Sequence, residues 1–113
     1  MRNGAEGRTM YVEYRVSDRQ KALREADDLS SFKVVVAGGA ALPAPARAEV
    51  TARIGTPAED EVFVPIADLR GFAAGLGVQP GWYEKFDGML GYAAKHGWVD
   101  DEGKAVRAHI EWV

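Results

Sequence analysis

Two stretches near opposite ends of the chain alternate apolar and polar residues with period two. In MYVEYRV, residues 10–16, Met10, Val12, Tyr14 and Val16 alternate with Tyr11, Glu13 and Arg15. In AVRAHIEW, residues 105–112, Val106, Ala108, Ile110 and Trp112 alternate with Arg107, His109 and Glu111. Successive side chains of a strand point to opposite faces, so each stretch reads as a strand with one apolar and one polar face. A sheet built from such strands is covered on one side and wet on the other, the pattern of a mostly antiparallel sheet that carries its helices on a single face.

The intervening sequence supplies those helices. In SDRQ, residues 17–20, a Ser is followed three positions later by Gln, the spacing of a capping box. The helix it would start places Ala22, Leu23, Ala26 and Leu29 on one stripe and reaches about Ser31. FKVVVAGG, from Phe32, reads as a second strand stopped by Gly38 and Gly39, and the prolines of AALPAPA make a loop. In AEVTARI, Ala48, Val50, Ala52 and Ile54 alternate with Glu49, Thr51 and Arg53; a strand is preferred, with a short helix from Pro45 as the competitor. TPAEDE is a turn and VFVPI a further strand, which together suggest a hairpin.

From Ala67 the period lengthens. Leu69, Phe72, Ala73 and Leu76 follow helical spacing up to GLG, and a second helix runs from about Pro80 to His96 with Trp82, Phe86, Met89 or Leu90, and Ala93 inward. Pro80 suits a first turn, Gly97 a left-handed residue beyond the last one, and Trp98 can fold back onto that turn. The predicted order is β-α-β-β-β-α-α-β: an α+β domain over 10–113, preceded by a disordered arm over 1–9. Residues 37–54 carry the weakest pattern.

Composition narrows the chemistry. The 113 residues include no cysteine, so thiolate nucleophiles, disulfides and cysteine-held metals are excluded. The net charge is −3 and the fourteen Lys and Arg are scattered, which argues against a nucleic-acid or anionic-membrane surface. No apolar run is long enough to span a bilayer and the first residues lack the core of a signal peptide, so a cytoplasmic protein is expected.

Gly88 and Gly91 interrupt the last helix, and Gly71 and Gly75 the one before it, although each glycine costs a helix roughly 1 kcal/mol against alanine. Close crossing of the two helices at their glycines is the expected reason. The alternative is a slot beside Gly88 and Gly91, near Trp82 and Tyr83, open to a flat ligand or a partner's side chain. Trp112, at the end of the last strand, needs cover from elsewhere and would anchor a subunit interface if left bare.

In spacing alone, residues 68–112 resemble a helix-turn-helix followed by a wing. Ala73, Gly77, Val78 and Phe86 fall at the small, turn and core positions, and VDDEGKAV at the wing tip. The resemblance implies a transcriptional regulator, but the charges oppose it. Glu84, Lys85 and Asp87 would face DNA, and Asp100, Asp101 and Glu102 would repel its backbone.

If the strands are neighbours, Tyr11, Glu13, Arg15, Glu49, Thr51, Arg53, Arg107, His109 and Glu111 share one polar face. Cross-strand ion pairs explain it adequately. Were that face covered, His109 would be the candidate acid–base group, with Glu111 to orient it and Arg107 beside it, and Tyr11 or Tyr83 could donate to an oxyanion. No catalytic motif is present, and AGGAAL lacks the lysine of a phosphate loop. His96, at a helix C-terminus, reads as a capping residue, and its convergence with Asp100 and Asp101 on a metal has no spacing to support it. No metal or cofactor is expected. The sequence therefore predicts a small binding or interaction protein, a homodimer through its sheet or last strand or a binder of another protein, with a small-molecule ligand as a further option. The alternatives are a metal-free enzyme built on His109, Glu111 and Arg107, and a winged-helix-like regulator.

Overall fold

The computed structural model describes residues 9–113. The arm expected over 1–9 therefore lies, apart from Thr9, outside the described residues. Both alternating stretches are strands: β1 is Met10–Arg15, and the last strand, Ala105–Trp112, is β6. Between them lie β2 (Lys21–Arg24), β3 (Phe32–Ala37), α1 (Ala44–Ile54), β4 (Thr56–Ala58), β5 (Glu61–Pro65), α2 (Ile66–Leu76) and α3 (Pro80–Lys95).

One six-stranded sheet runs β2-β1-β3-β6-β5-β4. Its centre is parallel, β1 with β3 and β3 with β6, while β2, β5 and β4 pair antiparallel with their neighbours. The sheet is thus mixed rather than mostly antiparallel, because alternation reports which face is buried and is indifferent to strand direction. Met10, Val12, Tyr14, Leu23, Val34, Val36, Val62, Val64, Val106 and Ala108 project from one face. They form a single core with Val50 and Ile54 of α1, Leu69 and Ala73 of α2, and Trp82, Phe86 and Ala93 of α3. All three helices therefore cover the same face. Phe86 and Leu69 are fully buried, each contributing about 1.5–3 kcal/mol through the apolar surface removed from water.

Two predicted elements differ. Residues 17–31 form a hairpin turn, β2 and a loop instead of a helix. Asp18 accepts from the Gln20 N–H at 3.1 Å and from the Arg15 guanidinium at 3.0 Å, and Arg19 takes a left-handed φ of 60°. A side chain that binds nearby backbone in this way competes with helix formation. The register Val12↔Leu23 then carries Leu23 into the core. In the second case, Ala44–Ile54 is helical where a strand was preferred. Val50 and Ile54 are one helical turn apart and also an even number of residues apart, so both periods fit them. The alanines at 44, 46, 48 and 52 favour the helix, Pro45 opens it, and the buried Thr51 hydroxyl donates to the Arg47 carbonyl at 2.8 Å. The hairpin partner of β5 is accordingly the short β4, and not residues 48–54.

The C-terminal half follows the sequence closely. Gly77 and Gly97 end α2 and α3 with φ of 70° and 76°, and the Trp98 N–H returns to the Ala93 carbonyl at 2.9 Å. The glycines inside these helices do not mediate a close crossing. Gly71, Gly75, Gly88 and Gly91 face outward: among the described residues, nothing outside the adjoining helix backbone lies within 4 Å of where a Cβ would be. The helices are instead linked by Arg70, which pairs with Asp87 at 2.7 Å and lies over the Phe86 ring. At the other end of the sheet, the N–H groups of Gly38, Gly39 and Ala40 converge on the Val113 oxygen at 3.0, 2.9 and 3.2 Å. Gly55 joins α1 to β4 where a Cβ would come within 2.0 Å of the Phe63 carbonyl.

Candidate functional site

The face without helices presents the polar sets of β1, β3, β5 and β6, and its charges pair across strands. Arg24 meets Glu13 at 3.1 Å, Lys33 meets Glu111 at 3.0 Å, and Arg107 meets Glu61. Most of this face is ordinary solvated sheet. One place is not.

β3 pairs with β1 along its whole length but with β6 only from Val34↔Ile110 to Val36↔Trp112. At the start of β6 the segment after α3 takes over that edge, where Val99 bridges Val106 and the Arg107 N–H donates to the Trp98 carbonyl at 2.7 Å. Between the two pairings, no described residue pairs with Ala108 or His109 on this side. A groove of about 640 Å³ opens at the interruption. Phe32 and Lys33 of β3 form one bank, Trp98 with Met89 and Tyr92 of α3 the other, and Arg107, His109 and Glu111 lie along β6. Thr9, Ser30 and Ser31 complete the rim, and a smaller hollow of about 400 Å³ continues past Arg107 and His109 to Glu61.

One wall is apolar and aromatic. His96 stacks on Trp98 with centroids 4.6 Å apart and planes at 19°, and Tyr92 lies 4.4 Å from His96. Trp98 remains 44% and Tyr92 57% exposed. The facing wall is charged. The Glu111 carboxylate accepts from Lys33 at 3.0 Å and lies 3.3 Å from His109 Nε2. Partial burial pushes the Glu111 carboxyl upward, but the hydrogen bonds from Lys33 and His109 outweigh it and leave it below its ordinary value. Lys33 uses one of its three N–H donors on Glu111. Such a site can hold a flat apolar body and a polar head together, and the imidazole beside a carboxylate can exchange a proton with a bound group.

Of the predicted residues, Arg107, His109 and Glu111 come together on the groove. Tyr11 shares their face, with Lys33 Nζ 6.0 Å from its ring centroid, but does not line the groove. Trp82 is a core residue, stacked on Phe86 and donating Nε1–H to the Ala26 carbonyl at 2.7 Å, and Tyr83 lies edge-on against it. Gly88 and Gly91 are on the outer face of α3, away from the groove. Trp112 is covered by its own chain: the Arg47 guanidinium lies 4.9 Å from its ring centroid, and Gly39 is pressed against it. Of the predicted outward set Glu49, Thr51 and Arg53, none joins the face, because they belong to α1. The region resembling a wing ends in β6, a strand at the sheet's centre, and Asp100 accepts from the Lys104 and Ala105 N–H groups to hold the turn. Among the described residues no three His, Asp or Glu side chains are placed to hold a metal ion.

Sequence reasoning missed Phe32, Lys33, Tyr92 and Trp98 as a site. Lys33 carried a signal, since it is the single charged residue in the apolar run FKVVVA. Comparison with protein-family models, with curated proteins and with solved structures finds no match for this chain.

Proposed function

We propose that the protein is a small binding protein whose ligand site is the groove between Phe32 and Trp98. The observation that carries this reading is the interruption of the β3–β6 pairing, which leaves a cavity of about 640 Å³ walled by aromatic side chains on one side and charged ones on the other. Two-dimensional NMR with a panel of small aromatic and polar fragments tests it. Shifts converging on the Trp98 indole, Lys33 and His109 are expected; shifts scattered over the surface, or none, refute it. The half-buried Tyr11, Val35 and Phe63 on the helix-free face support self-association of two copies there. Sedimentation should then find twice the 12.3 kDa chain mass, and a monomer at high concentration removes that part of the reading.

A second reading, acid–base catalysis, is favoured by the 3.3 Å contact of His109 with Glu111 inside the groove. It requires that His109→Ala abolish turnover of a substrate found by screening while leaving the melting temperature nearly unchanged. Retained turnover sinks it.

A further inference from the structure

We infer that the groove takes a small zwitterion with an aromatic side chain, the chemistry of a free aromatic α-amino acid. This inference rests on the reading of the groove as a ligand site. Lys33 is paired with Glu111, and Arg107 with Glu61 and, at 3.9 Å, with the exposed Glu59, so each cation already sits against a carboxylate. The wall therefore presents strong local charge of both signs, with no cation left unpaired by a carboxylate. A simple anion would meet Glu111 and Glu61 as soon as it reached the cations, and a simple cation would meet Lys33 and Arg107. A head group carrying both signs about 3 Å apart avoids both penalties, because it can lie antiparallel to the Lys33–Glu111 pair, which is itself 3.0 Å long.

The apolar side chains of the groove, drawn from both banks, select the body of the ligand. Trp98, Phe32 and Met89 provide a flat and soft apolar surface, and Trp98 is already held in place by its stack with His96. Lys33 has N–H donors to spare for a carboxylate, and the Glu111 carboxylate has lone pairs beyond those facing Lys33 and His109 for an ammonium. An aromatic ring on Trp98 and a zwitterionic head on Lys33 and Glu111 fills both walls at once.

The test compares L-phenylalanine with three relatives: N-acetyl-L-phenylalanine, which is anionic, L-phenylalaninamide, which is cationic, and L-alanine, which lacks the ring. Binding is followed by NMR shifts of the Trp98 indole and of His109. L-Phenylalanine is expected to bind roughly tenfold or more tightly than each relative, since each loses one charge-assisted or stacking contact. Lys33→Gln should weaken L-phenylalanine and N-acetyl-L-phenylalanine but leave L-phenylalaninamide unchanged, and Glu111→Gln should weaken L-phenylalanine and L-phenylalaninamide but leave N-acetyl-L-phenylalanine unchanged. If a singly charged relative binds as well as L-phenylalanine, or if all four fail while other fragments still map to the groove, the zwitterion inference is overturned and the groove reading stands. If no compound of either panel moves Trp98 or His109, both fall.

Discussion

Replacing Gly88 and Gly91 by alanine tests the most counterintuitive feature of α3. Each glycine is exposed in the helix interior, and a Cβ at either position would meet no atom of the described residues within 4 Å beyond its own helix backbone. No steric cost then offsets the gain in helix propensity, which comes largely from restricting the unfolded chain. Each substitution should stabilise the fold by about 0.4–1 kcal/mol, so the double variant gains about 1–2 kcal/mol. For a domain of this size that corresponds to a rise in Tm of about 4–8 °C. Urea unfolding, fitted with a common m-value, measures the gain directly. The control is Gly55→Ala, whose backbone is extended at φ −178° and conformationally ordinary, but whose Cβ would come within 2.0 Å of the Phe63 carbonyl. It should lose about 1–3 kcal/mol from steric displacement alone. A double variant that is less stable than the parent would mean that something packs on the outer face of α3, and would refute the reasoning.

Other perturbations have defined signs. Glu111→Gln removes a carboxylate held below its ordinary value of 4.5 by Lys33 and His109; a depressed value contributes stability above 4.5 that is lost as pH falls through the lowered one. The variant should thus be slightly less stable at neutral pH, by about 0.2–1 kcal/mol for an exposed pair, with a shallower loss of stability below pH 4.5, as read by unfolding at several pH values. Trp82→Phe keeps the stack on Phe86 but leaves the Ala26 carbonyl without its 2.7 Å donor, and should lower stability by about 1–3 kcal/mol in urea titration. Arg47→Ala loses two hydrogen bonds, to the Leu42 and Ala40 carbonyls, together with the stacking on Trp112, and should cost about 1–2 kcal/mol and raise solvent quenching of tryptophan emission.

What the sequence disclosed depended on whether a residue pattern had one physical interpretation. Leu69, Phe72, Ala73 and Leu76 fit only a helix, and Val106, Ala108, Ile110 and Trp112 alternate over eight residues, too long for coincidence. Both elements lie where the pattern puts them. Val50 and Ile54 fit two periods, and the surrounding alanines with Pro45 at the start favour the helix. SDRQ presents the same polar groups to a helix start and to a hairpin turn, and the core position of Leu23 beside Val12 settled which was used. The trio Arg107, His109 and Glu111 was visible because it lies on one strand. The two banks of the groove were not, since Phe32 and Trp98 are brought to face each other only by the order of strands in the sheet, a long-range property that no local window contains.

The convergence of the Gly38, Gly39 and Ala40 N–H groups on the Val113 oxygen has a mechanical consequence. The seam between β3 and β6 is fastened firmly at one end and unfastened at the other, where Lys33 faces His109 across the groove. Thermal opening of such a seam proceeds like a zip, from the free end toward the clasp, so amide hydrogen exchange should be fastest near Lys33 and His109 and slowest near Val36 and Gly39. A molecule seated between Phe32 and Trp98 would act as a second clasp. Its binding would then register as slowed exchange along the whole length of β3, well beyond the residues it touches.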